Sequence, residues 1–279
     1  MVRKIIGYYS DNGHSITEAD QLVVEISRNE VICLVKGNAS QEIEGFEVFR
    51  FDQEGNDWND VFYAMRTASE LLDKSYRNAH CYYNFEEAVL IPGKRFTAVA
   101  AEDYLNLMFG ESTRHDVKYD PINADTHIVN AYRVKRSIHE LMGRHFLLYK
   151  PHHSYSGIVH DILTRGELDA HFVKVVFYNK HIIAAVVKDR QLQLIQSFSF
   201  ETKEDVLYHL TNIKEQFELD GAHSHLEISG MFDNGSTLHK QLQSRFGLIT
   251  FDTMNMDGVF KAATNQPLHY FTPFYKLVV

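Results

Sequence analysis

The sequence predicts an α/β protein whose two halves run through the same order of elements: three strands, a helix, a strand, a helix and a strand (βββαβαβ). Three observations predict it. Between residues 171 and 200 apolar side chains fall into three short runs separated by tight turns, the pattern of an antiparallel meander. Beyond that meander the apolar period changes from two to three or four, then back again, as helices and strands alternate. A fainter copy of the series starts near residue 22.

In the first half, Leu22–Ile26, Val31–Val35 and Ile43–Phe51 are the three strands, broken at Ser27–Glu30 and Lys36–Ser40. The helix that follows turns Trp58, Val61, Phe62, Met65 and Leu72 inward at helical spacing. Two segments compete to be the next strand, His80–Asn84 and Thr126–Val134. The second is preferred, because Arg136–Gly143 then supplies a helix and His145–Tyr149 a last strand. Residues 78–124 become an insertion carrying Leu90–Ile91–Pro92 and a short helix at Ala101–Phe109. A helix from His152 to about Arg165 joins the halves. The expected organisation is therefore residues 1–150, a connecting helix within 151–169, and a second half with a tail over 170–279.

The second half is clearer. Strands are expected at His171–Tyr178, Ile182–Val187 and Gln191–Phe200, where Leu192, Leu194, Phe198 and Phe200 alternate with polar residues. Thr202 caps a helix with Glu204 and Asp205 in its first turn, where the helix dipole favours anions. Val206, Leu210, Ile213 and Phe217 form its buried stripe. His223–Met231 is a strand, Ser236 opens a helix closed by Gly247 in a left-handed cap, and Leu248–Phe251 is the last strand.

Composition excludes several classes. With 28 basic and 37 acidic side chains the net charge is −9, and 44% of residues are hydrophobic, which describes a globular chain with a sizeable core. The longest unbroken apolar run, Ile182–Val187, is too short to cross a membrane. Residues 1–20 lack a signal-peptide pattern, and two cysteines make no case for disulfides, so the expected location is the cytoplasm. An acidic chain is a poor match for a nucleic-acid backbone, whose binding needs clustered Lys and Arg.

A duplicated βββαβαβ unit resembles the ribonuclease-H-like fold, and two in tandem resemble the actin-like ATPases. At residue level the chain is similar to a family of uncharacterised bacterial proteins assigned that fold. The similarity rests on Phe51 to Val61 (FDQEGNDWNDV), Cys81–Asn84 with Leu90–Gly93, and the tail His269 to Phe274 (HYFTPF). More distantly it resembles the actin-like pilus-assembly proteins, through the strand–Ser–Gly–loop–helix passage at 226–242. The resemblance implies a fold and supplies no activity.

It also indicates where to look for a site. In actin-like enzymes the first hairpin turn of each half carries Asp and Gly, which organise Mg²⁺ or water and admit phosphate to the backbone. Here the corresponding turns, Ser27–Glu30 and Tyr178–His181, have neither residue, and their cations Arg28 and Lys180 read as solvated turn charges. No catalytic residue is assigned. The third landmark, which in that family receives the adenine nucleoside, is represented by Ser229, Gly230, Asn234, Gly235 and Ser236. An ATP or ADP ligand would sit there, although Ser–Gly loops and Ser caps are common for structural reasons alone. A ribonuclease-H nuclease is disfavoured, because Glu25 and Glu227 are isolated carboxylates on their strands and two metals need several. Two histidine groups, His223 and His225 with Glu227, and His152, His153 and His160, offer metal-ligand types; neither shows a spaced second ligand group, and no metal is expected on them. The aromatic tail residues Tyr270, Phe271, Phe274 and Tyr275 either dock a partner or cover their own domain.

The expected function is a cytoplasmic binding or scaffold protein of actin-like fold that has lost ATPase chemistry. Its protein partner would sit on the insertion or between the halves. The rivals are a nucleotide-switched or ATP-hydrolysing protein and, less favoured, a metal-dependent hydrolase.

Overall fold

The computed structural model describes residues 1–10, 16–52, 57–123, 127–146, 148–219, 222–253 and 266–278. Gln53–Asn56 of the motif at 51–61, Thr126 and Leu147 lie outside them. The described residues form two compact units, Met1–Leu163 with Phe274–Val279, and Thr164–Met256 with Gln266–Pro273.

In the first unit, β1 (Arg3–Tyr9) borders a meander of β2 (Gln21–Ile26), β3 (Glu30–Lys36) and β4 (Ile43–Arg50). Side chains of period two, among them Leu22, Val24, Ile26, Val31, Cys33 and Val35, enter one core with Val61, Phe62 and Met65 of α1 (Trp58–Ala68). Asp57 caps α1 by accepting the Asn59 N–H at 2.9 Å. Leu72, expected on that helix, is buried four residues past its end. Next come β5 (Asn78–Tyr83), β6 (Ala88–Pro92), α2 (Ala98–Phe109), β7 (His115–Asn123), β8 (His127–Lys135), α3 (Arg136–His145), β9 (Lys150–His153) and α4 (Ser154–Leu163). The main sheet has the order β1-β4-β3-β2-β5-β9.

Here the structure corrects the strand assignment. β5 runs parallel to β2, from Gln21↔Asn78 to Ile26↔Tyr83, so the earlier of the two competing segments continues the sheet. The later one, β8, is the central strand of a separate antiparallel sheet of order β6-β8-β7. The segment inserted into the main sheet's succession is thus 88–135, not 78–124, with its own small core of Ile91, Ala101, Leu105 and Ala131. The last strand is β9 rather than His145–Tyr149. Its sequence, Lys-Pro-His-His, carries no hydrophobic alternation and becomes a strand only by pairing with β5. The edge strand β1 is an addition to the expected series. At the C-terminal end of the unit, Phe274 packs on Phe46 with ring centroids 5.6 Å apart, and the Leu277 carbonyl accepts a 2.7 Å bond from the Tyr82 hydroxyl.

The second unit runs β10 (His171–Phe177), β11 (His181–Lys188), β12 (Gln191–Ser199), α5 (Lys203–Gln216), β13 (Ser224–Gly230), α6 (Thr237–Gln243) and β14 (Leu248–Phe251). Its sheet order, β12-β11-β10-β13-β14, matches β4-β3-β2-β5-β9 of the first unit strand for strand. Val173, Val175, Phe177, Ile182, Ala184 and Val186 face Val206, Leu210, Ile213 and Leu242 of the two helices. Thr202 and Asp205 form a complete capping box at the start of α5. Gly247 does not close α6: the helix ends at Gln243 with Ser244 as its cap, and the positive-φ glycines among the described residues are Gly110, Gly230 and Gly235. The expected βββαβαβ series is present in both units.

Candidate functional site

The Ser229–Ser236 segment leaves β13 at its C-terminal end and enters α6. Gly230 has φ +79°, and a Cβ there would lie 2.3 Å from the Phe177 carbonyl oxygen and 3.0 Å from its nitrogen. Its missing side chain thus accommodates the neighbouring strand, whose Phe177 carbonyl accepts the Met231 N–H at 2.9 Å. Gly235, at φ +78°, faces open space. Three polar groups at the start of α6 are already engaged. Ser236 Oγ accepts the His239 N–H at 3.2 Å, the Gly235 N–H donates to His239 Nδ1 at 3.0 Å, and the Ser236 N–H reaches the Asp233 carbonyl at 3.3 Å. Asn234 is exposed. Ser229 is fully buried, and its hydroxyl has no hydrogen-bond partner among the described residues.

The tail closes over this loop within the same unit. His269 Nε2 meets the Phe232 carbonyl at 2.8 Å, the Tyr270 hydroxyl donates to Asp233, and the His269 ring lies 4.5 Å from Phe251. The burial of His269 pushes its pKa down. These residues of the tail motif cover their own domain.

Both hairpin turns are short. The Ser27 N–H meets the Glu30 carbonyl at 2.9 Å and the Tyr178 N–H meets that of His181 at 3.0 Å, so two residues close each turn. Arg28 forms an ion pair with Glu86, and Lys180 reaches Glu201 at 2.6 Å.

The histidine groups are dispersed. His225 is tied on both ring nitrogens, with Asp169 at 2.6 Å and Thr250 Oγ1 at 2.6 Å, whereas exposed His223 precedes the strand. Glu227 belongs to a buried ion network in the second unit. Arg165 grips it with bonds of 2.7 and 2.9 Å, while Lys174, only 2% exposed, donates to Glu227 at 2.6 Å and to Asp252 at 2.5 Å. Burial pushes the Glu227 carboxyl up, but the Arg165 bonds and the Lys174 charge outweigh it and hold the pKa at about 2.

In the first unit His153 is buried and points away from His152. Its Nδ1 accepts the Tyr155 N–H at 3.1 Å, so Nε2 carries the proton and donates to the Phe85 carbonyl at 2.8 Å. Burial brings its pKa down to about 4. His160 is exposed on α4. His152 instead meets His80 of β5, a partner 72 positions away that no local spacing could reveal. Beside them Asp120 of the inserted sheet accepts bonds from Ser156 Oγ (2.7 Å), the His153 N–H (2.8 Å) and the Tyr132 hydroxyl (3.3 Å). Glu25 accepts from Ser154 and, at 3.3 Å, from Asn84. A groove of about 530 Å³ lies between α1 and α3, where Tyr63 is exposed and Arg66 sits 3.7 Å from Asp73.

Two sheets of matching order, each with its parallel strands beside an antiparallel meander, define an actin-like ATPase fold of tandem ribonuclease-H-like lobes, the first carrying an insertion. The chain belongs to DUF3822, a protein family of unknown function, whose model matches residues 10–246. No curated protein matches it. Among solved structures it is similar to a Bacteroides thetaiotaomicron protein with actin-like ATPase fold and unknown function, at TM-score 0.74 and 14% identity over 88% of this chain and 97% of that one. It is also similar to a chain of the PilM–PilN type IV pilus biogenesis complex (TM-score 0.57, 10% identity, 93% and 96% covered). A third likeness is to the ethanolamine utilization protein EutJ from Carboxydothermus hydrogenoformans (TM-score 0.50, 7% identity, 94% and 90% covered). Among the described residues, no helix is long and apolar enough to cross a membrane.

Proposed function

We propose that this chain is a binding or scaffold protein of actin-like fold that engages a protein partner and does not turn over ATP. The observation that carries the reading is the pair of two-residue hairpin turns, without Asp or Gly and with Arg28 and Lys180 already held by carboxylates. Phosphoryl transfer needs a metal and its charge clamp placed on the phosphates, and these turns offer neither. The PilM–PilN structure is of a protein complex, which supports a partner-binding role for a chain of this fold. Both cysteines are free thiols on separate strands, which supports a reducing location, the cytoplasm.

Should a nucleoside bind, the loop of Ser229, Gly230, Asn234, Gly235 and Ser236 is its place, with open space beside Gly235 and none beside Gly230. Thermal unfolding with and without millimolar Mg²⁺-ATP or Mg²⁺-ADP, together with phosphate release, tests the reading. Ligand at 100 times its Kd adds about 2.7 kcal/mol to a protein that binds it only when folded. The expected result is no shift and no phosphate above background. A saturable shift that disappears in Asn234→Ala, an exposed position, would replace the scaffold reading with the nucleotide-switched one.

A further inference from the structure

His80 and His152 lie on one face of the parallel strands β5 and β9, with His152 level with Tyr82 and His80 level with Lys150. Their rings are within 11° of parallel, and His80 Nδ1 stands 3.2 Å from His152 Nε2. The outer nitrogen of His80 is at hydrogen-bond distance from an acceptor, and that of His152 is near a carboxylate but beyond that distance. His80 Nε2 lies 3.2 Å from Asn78 Oδ1, and His152 Nδ1 lies 3.8 Å from Asp120 Oδ1.

A neutral imidazole carries one proton. With the two protons placed toward Asn78 and Asp120, the inner nitrogens present lone pairs to each other across 3.2 Å, a repulsive arrangement that a cation between them relieves. With a proton placed between the rings instead, one outer nitrogen turns a bare lone pair toward an oxygen acceptor. For His80 the outer contact is of the kind that metal-bound histidines show, the far N–H directed to an oxygen acceptor that fixes the tautomer. A separation of 3.2 Å also suits two nitrogens bound at about 2.0–2.1 Å to a tetrahedral ion.

We propose that His80 and His152 form a transition-metal site for a borderline ion of the Zn²⁺ class, with water completing the coordination. Nitrogen ligands select such ions over Mg²⁺ and Ca²⁺, which take oxygen. Access is open, because β9 is the edge strand and the His152 side chain is 31% exposed. The ion would clasp a four-residue edge strand to β5, a role independent of nucleotide or partner binding.

The test is calorimetric titration of chelator-treated protein with ZnCl₂, with CoCl₂ for its visible d–d absorption and MgCl₂ as the control. One Zn²⁺ per chain is expected, with a thermal shift toward higher Tm. His80→Gln and His152→Gln should each weaken binding at least tenfold while circular dichroism shows them folded. Asn78→Ala, which removes only the outer acceptor, should weaken it by about tenfold or more. The chain has 16 histidines, so unchanged stoichiometry and affinity in the double variant His80→Gln/His152→Gln would overturn the site. Absence of binding below millimolar Zn²⁺ would overturn it too, and would mean that the rings share an ordinary hydrogen bond, His152 Nε2–H donating to His80 Nδ1.

Discussion

Gly230 lies against Phe177 so closely that a Cβ on it would come within 2.3 Å of the Phe177 carbonyl oxygen. The glycine that family resemblance marks for ligand approach therefore has a structural duty, joining the ends of the parallel strands β10 and β13.

Gly230→Ala and Gly235→Ala separate backbone conformation from steric overlap, because the φ values are +79° and +78° but only the first site is crowded. Gly235→Ala should cost about 1–2 kcal/mol, the penalty of an L-residue in the left-handed region. Gly230→Ala should cost clearly more, since the obstructing atoms are backbone. Urea unfolding of the two variants checks this; equal losses would mean that the strands part readily.

Lys174 is the buried hub of the ion network, donating to both Glu227 and Asp252. Lys174→Met removes a buried cation from both Glu227 and Asp252, and should destabilise the protein by about 3–5 kcal/mol. The same unfolding assay reads it, and a loss below about 1 kcal/mol would show that water enters the network.

Glu227 also sets an acid limit. Its folded pKa, about 2, lies below the ordinary carboxyl value of 4.5, so the unfolded chain binds the proton first as pH falls. Its stabilising contribution is fully present above pH 4.5 and is lost progressively between 4.5 and 2. Unfolding free energy measured across that window should fall less steeply in Glu227→Gln than in wild type, although the variant starts from lower stability.

Thr202 caps α5 by accepting the Asp205 N–H at 3.3 Å, while Asp205 accepts the Thr202 N–H at 2.9 Å. Thr202→Ala should cost about 1 kcal/mol and Asp205→Ala a similar amount. The double variant should lose less than the sum, because the two bonds form one reciprocal unit.

Local order was legible because it is encoded locally. Alternation in Gln191–Phe200, the helical stripe after Thr202 and the breaks at Asn179–Lys180 and Asp189–Arg190 identify the second unit's elements, apart from the end of α6, almost to the residue. The absence of Asp and Gly from both hairpin turns could also be read directly. Pairing was not legible in the same way. β5 and β8 have equally good strand sequences, and only registry with β2 separates the sheet's true neighbour from the centre of an insertion. β9 has no strand signal of its own. The same limit applies to chemistry: the spacing of His223, His225 and Glu227 suggested a shared face, yet Glu227 is claimed by Lys174 and Arg165, and His152 finds His80 from another strand. The sequence by itself determined the fold class, the repeated βββαβαβ series and the short hairpin turns, because periodicity and turn chemistry act over a few residues. The tertiary structure alone decided which strands are neighbours and which polar side chains meet, because those outcomes depend on free energies shared among residues far apart in the chain.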